Sequence, residues 1–293
     1  MTTNARLRAF VELANTGSVR GAALRLVVTE SAISSAVGSL STEVGVPLLD
    51  RHGRGVRLTP AGKRYADYAR TILGLHDEAV RAAHGEADPE HGSIRIAAVT
   101  TAGELLIPAL LASFTGRYPD VECKLHVASR TGLWPMLARH EVDMVVAGRP
   151  PADLRQVRIR AVSPNTLIVV GNPRVQHRFA AATTTWLLRE SGSGTRATTV
   201  ALFEELDIAP PQMVLGSQGA VVAAAIAGLG VTLVSRQAVQ RDLDAGTLVE
   251  LRLPGAPLER PWHIVTQSPS TGSTELLIAH LLAHRGLGWV PAG

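Results

Sequence analysis

Residues 17–62 read GSVRGAALRLVVTESAISSAVGSLSTEVGVPLLDRHGRGVRLTPAG, and the order of residue types in this stretch decides the N-terminal fold. Just upstream, Leu7, Phe10, Val11 and Ala14 recur at helical spacing, and Gly17 stands where a helix would end in a left-handed cap. Ser18 is placed to cap a second helix whose apolar residues are Ala22, Ala23 and Leu26. After the short Val27-Val28 turn, Thr29 can cap a third helix. There Ala32, Ile33, Ala36, Val37, Leu40 and Val44 form one apolar face, and Gly45 is the stop. Arg51, Arg54 and Arg57 follow, punctuated by Gly53 and Gly55, as in a tight hairpin. Helix, turn, helix and an arginine-bearing hairpin make up the layout of a winged helix-turn-helix.

The opposite face of the third predicted helix carries Glu30, Ser31, Ser34, Ser35, Gly38, Ser39, Ser41 and Thr42, short groups that permit close approach to a groove floor. In such a motif the second helix of the pair reads base edges near its N-terminus, while surrounding donors and cations hold phosphates. This assigns Ser18, Thr29, Glu30, Ser31, Ser34, Ser35 and Gly38 to a DNA-facing surface, with Arg51, Arg54 and Arg57 as wing guanidiniums. A small bundle with a solvated serine face has the same periodicity, but it would make the capped turn and the adjacent arginine hairpin coincidental. Charge leans the same way. Residues 1–59 hold seven arginines against four acids, whereas the rest of the chain holds 22 basic against 21 acidic residues. Lys63 and Lys124 are the only lysines. Guanidiniums favour bidentate contacts to phosphate and guanine, although GC-rich coding sequence produces the same bias.

The length of 293 residues allows two or three domains, and the composition is that of a soluble globular chain. Cys123 is the sole cysteine, which excludes an intrachain disulfide and a cysteine metal cluster. Its neighbourhood, 121–127, alternates apolar and polar residues, so a buried strand thiol is expected. The ten histidines show no zinc-site spacing, and neither metal nor cofactor is expected. Glu12 and Asn15 interrupt any export signal, and the apolar run from Ala220 to Val234 is too short to span a bilayer, so a cytoplasmic location is expected. Trp134, Trp186, Trp262 and Trp289 are too scattered for a stacking platform and read as core.

Thr59-Pro60 is a cap followed by proline at a first helical position, and no proline interrupts the chain from there to about Ala87. Along it Ala61, Tyr65, Tyr68, Ile72, Leu75, Ala79 and Ala83 form a narrow stripe, which suits pairing with a second copy. Asp88 to Gly92 reads as a hinge. Beyond it, strands at Ser93–Val99, Val121–Ala128 and Met144–Ala147 alternate with helices at Leu105–Tyr118 and Leu133–His140. A second unit has strands at Thr166–Val170, Trp186–Leu188, Gln212–Leu215 and Val231–Val234, with helices opening at Thr195 and Ala220. The chain returns through Trp262–Gln267 and ends in a helix from Thr274 to His284. This alternation predicts parallel sheets with helices on both faces. The expected organisation is α/β overall: an all-α winged helix-turn-helix at 1–59, a linker helix at 60–88 and a two-lobed α/β domain at 89–293. Lobe I covers about 92–161 and 267–293, lobe II about 162–266.

The motifs LRAF, TGSVRGAA, SAIS, GVPLLDRHGRGVRLTPAG, FTGRYPDV, VDMVVAG, SGSGTR and AIAGLGVTLVS followed by AGTLVEL occur in this order. Together they resemble a LysR-type transcriptional regulator over essentially the whole chain. The resemblance implies a DNA-binding dimer built on the linker helix, frequently a dimer of dimers (a homodimer or homotetramer). Its periplasmic-binding-protein-like domain would bind a small effector and alter contacts with promoter DNA. RNA polymerase is a further candidate partner. The chain departs from the family pattern at Glu30, often glutamine, at Ser35, often arginine, and at Gly38, often basic, which changes what the helix can read.

Glu190 to Arg196 (ESGSGTR) follows a predicted strand and opens a predicted helix. Its glycines and hydroxyls, with the helix N-terminus, suit an anionic or carboxylate-bearing effector, though an efficient cap and turn would look alike. Ser191, Gly192, Ser193, Gly194 and Thr195 are therefore candidate contacts. The resemblance places Thr100, Thr101, Ser129, Arg130 and Thr131 on the facing wall, with Gly148, Arg149, Gln218 and Gly219 as further candidates. These sit at strand C-terminal ends, where open α/β sheets hold ligands. Arg130 or Arg149 would either pair with a carboxylate or stand as a solvated charge. An enzyme is disfavoured by the lack of a nucleophile elbow, a Walker sequence or a strand-linked GxGxxG. A bilobed solute-binding protein would match 92–293, but should carry an export signal and no helix-turn-helix.

Overall fold

A computed structural model of the chain describes residues 3–52 and 55–293. They form two compact units: one runs through Arg81 and takes in Ala138–Glu141, and the other comprises Ala82–Leu137 and Val142–Gly293.

The first unit opens with helices α1 (Asn4–Thr16), α2 (Val19–Leu26) and α3 (Glu30–Val44), followed by strands β1 (Leu49–His52) and β2 (Gly55–Leu58) and helix α4 (Pro60–Ala87). Caps fix the end of α1 and the starts of α2 and α3. Gly17 takes φ +64°, Ser18 accepts from the Gly21 N–H, and Thr29 accepts from the Ala32 N–H. Between α2 and α3 the chain bends by 108°, within the range of a helix-turn-helix. Phe10, Leu13, Ala22, Ile33, Val37 and Leu40 form the core, which Leu48 closes from the approach to β1. Ala32, expected on the apolar face, is exposed instead, while the adjacent Ile33 takes the core position of that turn.

The long helix uses two faces. Ala66, Ala69 and Leu73 are buried against the three-helix core, a seam absent from the sequence reading, whereas Tyr68, Ile72 and Leu75 of the expected stripe are 62%, 50% and 51% exposed. Thr59 locks the start of α4: its hydroxyl donates to the Pro47 carbonyl (2.8 Å) and accepts from the Gly62 N–H (2.9 Å), while its N–H donates to the Leu48 carbonyl (3.1 Å). Gly62 is required by proximity. A Cβ there would stand 1.9 Å from the Leu48 carbonyl oxygen.

The second unit holds two sheet lobes. In chain order it contains β3 (Ser93–Val99), α5 (Thr100–Leu105), α6 (Ile107–Arg117), β4 (Glu122–Ala128), α7 (Arg130–Ala138), β5 (Met144–Ala147) and β6 (Val157–Ser163). Then come β7 (Thr166–Gly171), β8 (Trp186–Leu188), α8 (Gly194–Glu205), β9 (Gln212–Val214), α9 (Gln218–Ile226), β10 (Val231–Ser235), α10 (Gln240–Asp244), β11 (Val249–Glu250) and β12 (Leu258–Glu259). The last elements are β13 (Trp262–Gln267), α11 (Gly272–Ala283) and β14 (Val290–Pro291). Lobe I has strand order β14-β6-β13-β5-β3-β4, and lobe II β11-β7-β10-β8-β9, with β12 also on β7.

The expected all-parallel sheets are mixed. β3, β4 and β5 are parallel, as are β8, β9 and β10, but β13 runs antiparallel to β5 and β6, and β7 antiparallel to β10. The chain crosses between lobes twice, and each crossing enters its sheet from the opposite end. Strand alternation still sets the cores. Ile94, Ile96 and Ala98 pack under α6 and α11, whereas Ala97, Val145 and Val265 pack under α7. In lobe II Val169, Trp186 and Leu233 face α8, and Ile168, Leu187 and Val234 face α9. The helix expected at Leu105–Tyr118 is α6, which begins at Ile107 with Pro108 in its first turn, and the short helix α5 before it is an addition to the expected elements. Cys123 is half-buried rather than buried, because β4 is an edge strand, and partial burial raises the pKa of its thiol.

Candidate functional site

The head presents one polar face. Thr29, Glu30, Ser31, Ser34, Ser35 and Gly38 are all exposed, and nothing lies within 4 Å of where a Gly38 Cβ would be. Ser18 is half-buried, with its hydroxyl committed to the α2 cap. The wing strands pair Asp50 with Arg57 and Arg51 with Val56. Arg57 is exposed, Arg51 lies in β1 with its side chain outside the described set, and Arg54 lies outside the described residues. Arg6 and Arg25 are tied to Glu43 and Glu12. Arg20 and Arg57, by contrast, are exposed and have no ion-pair partner among the described residues. Arg20 stands in the TGSVRGAA motif but is not among the expected DNA contacts, and its position in the first turn of α2 is the signal that points to it.

Between the lobes of the second unit lies a cavity of about 70 Å³. Thr100 and Thr101 line it from the start of α5, Ser129 and Arg130 from the start of α7, and Gly148 from the end of β5. Ser193, Gly194 and Thr195 line it from the start of α8. Ser193 caps α8 by accepting from the Arg196 N–H, and the first N–H groups of α8 have no partner within the helix. Thr131, Ser191, Gly192, Arg149, Gln218 and Gly219 do not line the cavity. Gly192 instead closes a seam between lobes: at φ +86° its carbonyl accepts from the Arg130 N–H (3.2 Å). A Cβ on it would stand 3.0 Å from the Thr131 hydroxyl. Ser191, Gly219 and Arg149 are exposed.

Further lining residues lie outside the expected contacts: Asn165, Arg189, Thr198, Arg260 and Trp262, together with Glu190, named in the sequence only as the start of the ESGSGTR loop. Asn165 staples the two crossings, donating to the Arg260 carbonyl (2.8 Å) and accepting from Ser235 (2.7 Å). Trp262, read as core, is buried but borders the cavity. Arg189, 6% exposed, makes two 2.8 Å bonds to Glu190, which hold the Glu190 carboxyl below its ordinary pKa. Its NH1 also donates to Gln218 Oε1 at 3.1 Å, and that oxygen accepts from the Thr101 hydroxyl at 2.6 Å. The lining thus sets Arg130, Arg189 and Arg260 against the single carboxylate of Glu190.

A helix-turn-helix head leading into a long helix, with a two-lobed ligand cleft in the same chain, defines a DNA-binding regulator with a sensing domain. The chain belongs to the LysR family: the profile of the LysR substrate binding domain matches residues 87–286, and that of the bacterial regulatory helix-turn-helix protein, lysR family, matches residues 5–63. It is 31% identical over 264 residues to the HTH-type transcriptional regulator CbbR of Rhodospirillum rubrum, covering 89% of this chain and 88% of that protein. A full-length OxyR variant from Pseudomonas aeruginosa has the same fold, with a TM-score of 0.70, 20% identity and coverage of 96% of this chain and 95% of that one. The CcmR regulatory domain of Synechocystis PCC6803, solved in complex with 2-PG, matches with a TM-score of 0.53 and 25% identity, covering 64% of this chain and 96% of that domain. The chain is accordingly a DNA-binding transcriptional regulator with a small-molecule effector domain, not an enzyme.

Proposed function

We propose that the effector is a small anion seated in the interlobe cleft, and that its binding redistributes the lobes and thereby changes promoter contacts. The excess of guanidiniums over carboxylates in the lining carries this reading. Thr100, Thr101, Ser129, Arg130, Ser193, Gly194 and Thr195 are the proposed contacts, with the first N–H groups of α8 facing the negative charge. The 2-PG in the CcmR domain, 2-phosphoglycolate, is a compact anion of this class. On the DNA side Thr29, Glu30, Ser31, Ser34, Ser35 and Gly38 face the groove, with Ser18, Arg51, Arg54 and Arg57 toward the phosphates.

The exposed stripe of Tyr68, Ile72 and Leu75 on α4 supports pairing with a second copy, which would supply two reading heads for two half-sites. A cytoplasmic location follows from the regulatory role, and no single described helix is long and apolar enough to cross a membrane. The test is calorimetry with a panel of small carboxylates and phosphorylated carboxylates, 2-phosphoglycolate first. Thr195→Val and Ser193→Ala should each lower the affinity for the responding anion about tenfold, the order of one hydrogen bond to a charged group, and spare DNA affinity without ligand. A panel in which neutral analogues bind as tightly as the anions refutes the reading.

A further inference from the structure

We propose that Gln218 is a cross-lobe latch whose amide oxygen occupies the acceptor position an effector anion must take, so that anion binding and the link between lobes compete for the same proton. The inference rests on the anionic reading above and follows from counting donors. A threonine hydroxyl has one proton to give. That of Thr101, which lines the cavity from lobe I, goes to Gln218 Oε1 of lobe II at 2.6 Å in a buried bond. Arg189 is committed only in part: Nε and NH2 donate to Glu190 and NH1 donates to the same Gln218 oxygen, which uses three of its five N–H protons, so the competition falls on Thr101. Among the described residues the Gln218 Nε2 has no hydrogen-bond partner, so the side chain is held by its oxygen alone. A carboxylate or phosphoryl oxygen that accepts from Thr101 must therefore displace Gln218 Oε1 and break this bridge between lobes. The second bridge, from the Arg130 N–H to the Gly192 carbonyl, involves only backbone atoms and needs no such exchange. Anion occupancy is thereby converted into loss of one specific interlobe bond.

Two measurements test this. Without ligand, Thr101→Val and Gln218→Met form a double-mutant cycle in thermal unfolding of the full chain. Each single change should lower the melting temperature, and the double should add little to the larger of them. Strict additivity overturns the latch. With 2-phosphoglycolate as probe, Gln218→Met should raise affinity about five- to tenfold, because the competing acceptor is gone. Gln218→Glu, which places a tethered carboxylate beside Thr101 and Arg189, should lower it at least tenfold. Weaker binding by Gln218→Met overturns the competition while leaving the anionic reading intact. Failure of the wild type and of Gln218→Met to bind any anion refutes that reading and the competition with it, whereas binding by Gln218→Met alone supports the latch.

Discussion

Replacing Glu190 by glutamine should weaken lobe II and remove one component of its acid sensitivity. The Arg189 side chain is 7% exposed and the Glu190 side chain 34%. Removing one partner of a fully buried pair costs about 3–5 kcal/mol, while exposed pairs contribute about 1 kcal/mol or less. This half-sheltered pair falls between, at about 2 kcal/mol. The Arg189 bonds hold the Glu190 carboxyl below its ordinary range, so the contribution is complete above the unfolded value of about 4.3 and is lost as pH falls through the depressed folded value. Hydrogen exchange at the backbone amides of β8, measured peptide by peptide, is the assay. At pH 7 the variant should lose about thirtyfold in protection, equivalent to about 2 kcal/mol. The gap to wild type should close on acidification below about pH 4. Equal protection at pH 7, or a gap unchanged in acid, would refute the assignment of Arg189–Glu190 as a stabilising pair.

Other expectations are independent of that pair. Arg57→Ala should weaken binding to all duplexes and reduce the salt slope by about one, whereas Ser34→Ala should mainly alter sequence preference; titrations at several salt concentrations separate the two. Ile72→Glu should shift the protein toward monomer in analytical ultracentrifugation, and an unchanged sedimentation coefficient would remove the stripe as the pairing surface. Gly62→Ala should destabilise the first unit by about 1–3 kcal/mol in urea unfolding, because its methyl must push the Leu48 carbonyl aside. Val27, a β-branched residue at φ +54° and 90% exposed, should be improved by glycine, and a Val27→Gly chain less stable than wild type would contradict the strain assigned to that turn, about 1 kcal/mol.

Where the determinants are local, the structure follows the sequence closely. Ser18 and Thr29 are the expected caps, each bonding to an N–H three residues on, and the α2–α3 turn and the opening of α4 fall where Val27 and Pro60 stand, whereas α8 and α11 start one and two residues earlier than expected, capped by Ser193 and Thr271. What eludes the pattern depends on the chain's return. Arg260 and Trp262 reach the cleft only because β13 re-enters lobe I between β5 and β6, and Asn165 meets Arg260 across 95 positions of sequence. The buried seam of Ala66, Ala69 and Leu73 is hard to read because alanines add little to an apolar stripe already marked by larger side chains. Arg189 follows the three apolar residues of β8 directly, and nothing in its neighbourhood distinguishes a buried guanidinium from a solvated one.

The bonds around Thr59 bear on how a signal travels. With its hydroxyl clasping Pro47 on one side and the first turn of the long helix on the other, and with no room for a side chain at Gly62, the reading head has no soft joint at its base. On this geometry a turn of the long helix is passed on to α3 through these bonds rather than absorbed at the joint. On the proposed pairing through α4, the angle between two such helices sets the spacing of the heads, and Thr59→Ala should leave the protein attached to its operator but weaken its response to the effector.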